Sequence, residues 1–236
     1  MKYPTLLLGL LVLFCLNLNM PASFAQEDDD EKEEKEDKED KEEKEEVLKF
    51  DPKQLEIVKK GKNSWDAYLK ALPDVKINLA AANLSGMDLS GYNLKNADLR
   101  QAELNGCKFV KTNLDGADLS GADAGEKDDI HTDFTEAILN NANLHRADLT
   151  SSHMVKTQLI NADLTEADLD GASFKKANLK SANLEGASMI GSVLKRTILI
   201  GTKLGKATSF DGIQINECIY SESDMYLYNK TDFDDK

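Results

Sequence analysis

Three histidines (His131, His145 and His153) and three cysteines (Cys15, Cys107 and Cys218) are the side chains of this 236-residue chain best suited to nucleophilic chemistry or soft-metal binding. A nucleophile needs a base within hydrogen-bond reach. No spacing in the chain brings one of these histidines to a matched cysteine or serine, so no catalytic residue and no cofactor is expected, and the chain does not read as an enzyme. A second cluster, Glu126, Asp128, Asp129 and His131 in "AGEKDDIHT" (124–132), offers hard oxygen ligands of the kind divalent cations take. A polar surface bulge accounts for the same residues with less, and no metal site is expected. A third set is cationic. Lys156, Lys176 and Arg196 recur at intervals of twenty, with Lys175 and Lys195 beside them. Charges of one sign stacked in a column repel one another, so this column is a candidate binding face for an anionic partner.

The interval of twenty matters only if the chain winds. In "NADLTEADLDGASF" (161–174) a large apolar residue stands at Leu164, Leu169 and Phe174, with alanine two places before each. A helix buries a face every 3.6 residues and a strand every 2, so neither keeps a period of five on one side. Stepping by five from Leu84 to Leu204 visits 25 positions, of which 23 are Leu, Phe or Met, and only Ala124 and Asp129 fail. Leu84, Leu99, Leu144, Leu164, Leu169, Phe174 and Leu184 are therefore core residues. Asn or Asp commonly stands between the small and the large inward residue, and Gly or a polar residue follows at a corner. Such a chain must coil around an axis, with successive turns about 4.8 Å apart.

"ANLSGMDLSGYNLKNADL", "ADLTEADLDGASF" and "ANLKSANLEGAS" resemble the pentapeptide repeat proteins, and "GKNSWDAYLKALPDV" is similar to a leader found ahead of such repeats. The resemblance implies an all-β solenoid, a right-handed quadrilateral β-helix with four pentapeptides per coil, and implies no enzymatic activity. The 26 units from Leu79 to Leu204 would make about 6.5 coils, roughly 31 Å long at strand spacing. Cys107 and Cys218, 111 residues apart, would then lie about 26 Å apart along the axis, whereas a disulfide needs Cα atoms within about 7 Å. Both are expected as buried thiols.

The remaining segments have other compositions. Residues 1–25 read as a signal peptide: Lys2, the apolar run "TLLLGLLVLFCL", and small residues at Ser23 and Ala25. Cleavage near Ala25 would export the chain to a periplasm, a lumen or the exterior. Residues 26–50 form an acidic linker in which "EDDDEKEEKEDKEDKEEKEE" sets five lysines against fifteen acids, a net of −10 out of the total of −14. With nothing apolar to bury, it is disordered or a lone charged helix. Residues 51–75 read as a helical cap, with Asp51 and Pro52 starting one short helix, Gly61 breaking it, Pro73 ending a second, and Leu55, Val58, Trp65, Leu69 and Leu72 along one stripe. The repeat domain covers 76–206, with 124–132 as a bulge of half a coil. After Leu204 the phase slips by one to Phe210, Ile215 and Tyr220, giving a closing coil and tail over 207–236.

Function must then lie on outer faces. Besides the basic face, Asp128, Asp148 and Asp168 fall at intervals of twenty as an acidic column, and Ile138, Ile160, Ile190, Val193, Ile198 and Ile200 occupy outward slots as a candidate apolar interface. The chain reads as an exported scaffold for an unknown protein or an anionic surface polymer, with a homodimer through its C-terminal coils as a further expectation. The alternative is a DNA-mimicking inhibitor or protector of a nucleic-acid enzyme. A signal peptide and a net of only −5 beyond the linker disfavour that role and a nucleic-acid partner alike.

Overall fold

The structure is a computed structural model that describes residues 48–205 and 208–220. The expected signal peptide, the acidic run and the tail from residue 221 lie outside the described residues. The chain divides into two units, 1–44 and 45–236, and the second contains all that follows.

Helix α1, Pro52–Lys59, starts at Asp51, whose side chain accepts hydrogen bonds from the Lys53 and Gln54 amides. Helix α2, Lys62–Ala71, begins at Gly61, where φ is +97°, a conformation that glycine adopts without steric cost. The pair closes the first coil. Trp65 is fully buried, donates from Nε1 to the Asn93 carbonyl at 2.9 Å, and stacks on Tyr92 at 6.4 Å. Tyr92, oversized for a small inward slot, donates its hydroxyl to the Val58 carbonyl at 3.3 Å. Leu55 and Val58 are buried as expected, but Leu72 is 46% exposed, because α2 stops at Ala71 and the chain turns away.

From Asn78 the backbone winds with parallel bridges on four sides. The first side stacks Asn78, Asp98, Asp118, Asn143, Asp163, Asn183 and Lys203. The second begins Asn83, Glu103, Asp123, Asp148 and Asp168; the third Asp88, Lys108, Asp133, His153 and Ser173; the fourth Asn93, Asn113, Ile138, Gln158 and Asn178. The rungs run along the axis: the Asp163 amide donates to Ala142 of the coil before, and the Leu164 amide to Asn183 of the coil after. At each corner the chain bends onto the next side in a four-residue turn, as where the Ala167 amide returns to Leu164 across Glu166 at φ +57°. A positive φ at the third turn residue is the type II arrangement.

The middle position has a structural reason to be Asn or Asp. In fifteen units among the described residues, from Asn78 onto Ala80 to Asn183 onto Glu185, its side-chain oxygen accepts the amide two residues on, at the corner. This is the Asx turn. Inside, Leu84, Leu99, Leu144, Leu164, Leu169, Phe174 and Leu184 are all fully buried. Four of the polar inward residues are core fillers with satisfied hydroxyls, Thr112, Thr157, Thr197 and Thr202 each donating to a carbonyl 23 residues earlier, whereas the buried Ser152 hydroxyl has no partner among the described residues.

The segment 124–132 corrects the count of coils. Bridges skip from Lys108 to Asp133 and from Asp123 to Asp148, an interval of 25, so one whole pentapeptide leaves the winding. It leaves as a hairpin in which Lys127 and Ile130 exchange both backbone hydrogen bonds across Asp128 and Asp129, at φ +53° and +60°. Two positive φ values in a two-residue loop mark a type I′ turn. Ala124 remains buried in a large inward slot and Thr132 re-enters the core, whereas Asp129 stands at the hairpin tip. Phe109 and Phe134 stack across this level at 4.9 Å and 5°.

Strand β1, Val193–Lys195, pairs in parallel with β2, Gln214–Asn216, at an interval of 21, where the phase slips after Leu204. Among the described residues no helix is long and apolar enough to cross a membrane.

Candidate functional site

Lys156, Lys176 and Arg196 stand in one column at the corner between the third and fourth sides, each in the left-handed turn position with φ of +58° to +61°. The column is longer than the sequence suggested, and acids flank its basic stretch 156–196. Counting across the hairpin, it runs Lys111, Glu136, Lys156, Lys176, Arg196 and Glu217. Lys156 Nζ lies 2.7 Å and Lys111 Nζ 3.6 Å from the Glu136 carboxylate, and Arg196 pairs with Glu217. The hydrogen bond from Lys156 and its charge hold the Glu136 carboxyl below the usual range, and Arg196 does the same for Glu217. Lys176, Lys175 and Lys195 make no ion pair among the described residues. The positive charge outside these ion pairs is therefore a triangle of three lysines over two coils, with Glu217 near Lys195 on one side and Glu136, beyond Lys156, on the other.

The acidic column is corrected by the same hairpin: Asp123, not Asp128, stacks with Asp148 and Asp168, and Glu103 extends it. Burial, with the neighbouring charges of Asp170 and Asp148 adding to it, holds the Asp168 carboxyl above its ordinary range against the Asp170 amide's hydrogen bond. Most of these carboxylates serve the corner amides, as Asp148 does for Thr150 and Asp168 for Asp170.

The six outward apolar residues do not meet on one surface. Ile138 and Ile198 lie on the fourth side, separated by Gln158 and Asn178. Ile160 and Ile200 flank the corner between the fourth and first sides; Ile190 is at the diagonal corner, and Val193 is on the third side. Only Ile138 and Ile190 of the six are among the exposed large apolar residues, which also include Ile215, Ile219 and Tyr220 of the last described coil.

Cys107 is buried, with its thiol pushed up to about 12 chiefly by that burial, so it is protonated and unreactive at neutral pH. Cys218 is only half-buried, contrary to expectation, because no described coil lies beyond it. His131 packs against His153 at 5.2 Å, with its Nδ1 3.6 Å from Glu126, and His145 Nδ1 sits 2.8 Å from the Thr165 hydroxyl. Among the described residues no group of three or more His, Cys, Asp or Glu is placed to hold a metal ion.

No curated protein sequence matches the chain. Among solved structures it is similar to HetL, a pentapeptide repeat protein involved in heterocyst differentiation regulation in the cyanobacterium Nostoc (25% identity, 64% of this chain and 92% of that one, TM-score 0.39). It is similar too to a pentapeptide repeat protein of the Arabidopsis thaliana thylakoid lumen (30%, 52% and 74%, TM-score 0.33) and to QnrB1, a plasmid-mediated fluoroquinolone resistance protein (18%, 58% and 70%, TM-score 0.38). At scores this low the superpositions say nothing about function. The repeats themselves decide: the family described as pentapeptide repeats matches in eight copies over residues 77–116, 93–126, 130–165, 157–196 and 177–208, more than half of the sequence, and the chain belongs to that family.

Proposed function

We propose that this chain is a non-catalytic interaction scaffold that holds an anionic partner, a protein segment or a surface polymer, at the corner formed by Lys175, Lys176 and Lys195, with Lys156 and Arg196 beside them. One contrast supports it. Most carboxylates of the first and second sides are explained by the turns they cap, whereas the three lysines make no ion pair among the described residues, only Lys195 feeling the Glu217 charge, and they repel each other about one strand spacing apart. Glu136 and Glu217, which flank the basic stretch of the column, favour a short anionic segment over a long duplex laid along the axis.

The full chain carries a net charge of −14, so only a local basic patch can retain it on an anionic resin. We expect retention on phosphocellulose at low salt that fades as added salt screens the contact, over a Debye length of about 8 Å at physiological ionic strength. The Lys175→Glu, Lys176→Glu, Lys195→Glu triple variant should pass straight through. Equal elution of variant and parent would overturn the assignment.

The same reading has the chain act outside the cytoplasm, on the strength of Lys2, the apolar run from Thr5 to Leu16 and the small residues Ser23 and Ala25. Intact mass of the protein from an exported fraction should correspond to a chain beginning at Gln26; an uncleaved product confined to the cytoplasm would count against it. A second reading, imitation of duplex DNA toward a nucleic-acid enzyme, draws its support from the stacked carboxylates Glu103, Asp123, Asp148 and Asp168. It needs the acidic sides and not the basic corner, so the triple variant leaves it untouched.

A further inference from the structure

A groove of about 1000 Å³ opens where α2 and the connecting segment 73–77 pass the corner between the fourth and first sides of the first coils. It is at the upper end of the roughly 300–1,000 Å³ that small-ligand sites occupy. Its floor is apolar, made by Leu69, Pro73, Val75 and Ile77. Lys70 and Lys76 stand at the rim, exposed and without an ion pair among the described residues, and Lys95 is held there by Asp115 at 2.9 Å. On the coil wall the exposed Asn93 accepts from the Lys95 amide and from Asn113 through Oδ1, and its Nδ2 donors are the groups it can offer a ligand.

We propose that this groove binds a short extended peptide segment in which apolar side chains flank a single carboxylate. The apolar floor takes the side chains, Asn93 supplies donors for a peptide carbonyl, and Lys70 and Lys76 take the carboxylate. Asp74, also at the rim, repels a run of acids, so the groove and the lysine corner select different ligands. Charge complementarity and the apolar floor are both needed for the fit, which sets this site apart from a surface that attracts any polyanion.

The probe is a fluorescein-labelled peptide, Leu-Glu-Leu-Gln, titrated against the full chain by anisotropy, with the unlabelled peptide as competitor and tetraglutamate as a second ligand. Saturable, competed binding is expected, weakened at least about tenfold in the Lys70→Glu, Lys76→Glu variant and in Val75→Asp, and unchanged in Lys175→Glu, Lys195→Glu. Tetraglutamate should bind more weakly than the probe. The altered residues are at the rim or half-buried, and thermal melting of each variant confirms that it is folded. No saturation by about 1 mM, binding indifferent to Lys70 and Lys76, or tetraglutamate binding as tightly as the probe would each overturn the proposal. Loss of binding in the corner variant alone would show that the corner, not the groove, captures the peptide.

Discussion

Leu164→Asp is expected to melt at least about 10 °C below the parent by circular dichroism. Leu164 is fully buried in the column Leu144, Leu164, Leu184, and truncation of a buried leucine costs about 2–5 kcal/mol before any charge is considered. A carboxylate there sits among buried apolar side chains and adds the penalty of burying a charge. In a domain of this size each kcal/mol moves the midpoint by about 2–4 °C. The control is one residue away: Asp163→Asn points outward, can still accept the Thr165 amide, and should fall within about 0.5 kcal/mol of the parent. If both variants melted with the parent, the inward and outward assignments of the repeat would be wrong.

Trp65→Ala is the second large effect, and its pattern differs. Removing a buried tryptophan costs about 3–5 kcal/mol, here including the hydrogen bond to the Asn93 carbonyl and the stacking on Tyr92. In a stack whose coils touch only their neighbours, that loss stays local. Amide hydrogen exchange should therefore accelerate at Leu84, Leu89 and Leu94 of the first coil while the Leu164 amide, four coils away and bonded to Asn183 of the coil after it, keeps its protection. Uniform acceleration along the rod would show that the coils unfold as one cooperative unit instead.

Much of this fold was legible in the chain, because its determinants are periodic. A five-residue repeat of small and large apolar residues leaves a winding backbone as its solution, and Asp51, Pro52, Gly61 and Pro73 marked the two cap helices by local chemistry alone. The hairpin shows where that reading stops. An insertion of one whole unit resumes at Phe134 in the same phase whether the unit winds or loops out, so the sequence could not tell a bulge of half a coil from a 25-residue turn. The acidic column read across it was misassigned as a result, with Asp128 stacked where Asp123 belongs. The scattered isoleucines show a second limit: outward position is set by the five-residue phase, but which side a residue faces depends on the count around the coil. The groove at the cap was invisible because it forms where the aperiodic segment 73–77 passes a corner nearly twenty residues later.

The rungs of the ladder lie parallel to the axis of the rod, and this sets how the molecule would yield to a pull. Tension applied between the cap and the last coil loads the bonds between neighbouring turns of backbone a few at a time, from one end, rather than shearing a whole sheet at once. The rod would peel like thread from a spool. Each ordinary turn of twenty residues would release roughly 70 Å of slack, and the turn that carries the hairpin about a quarter more.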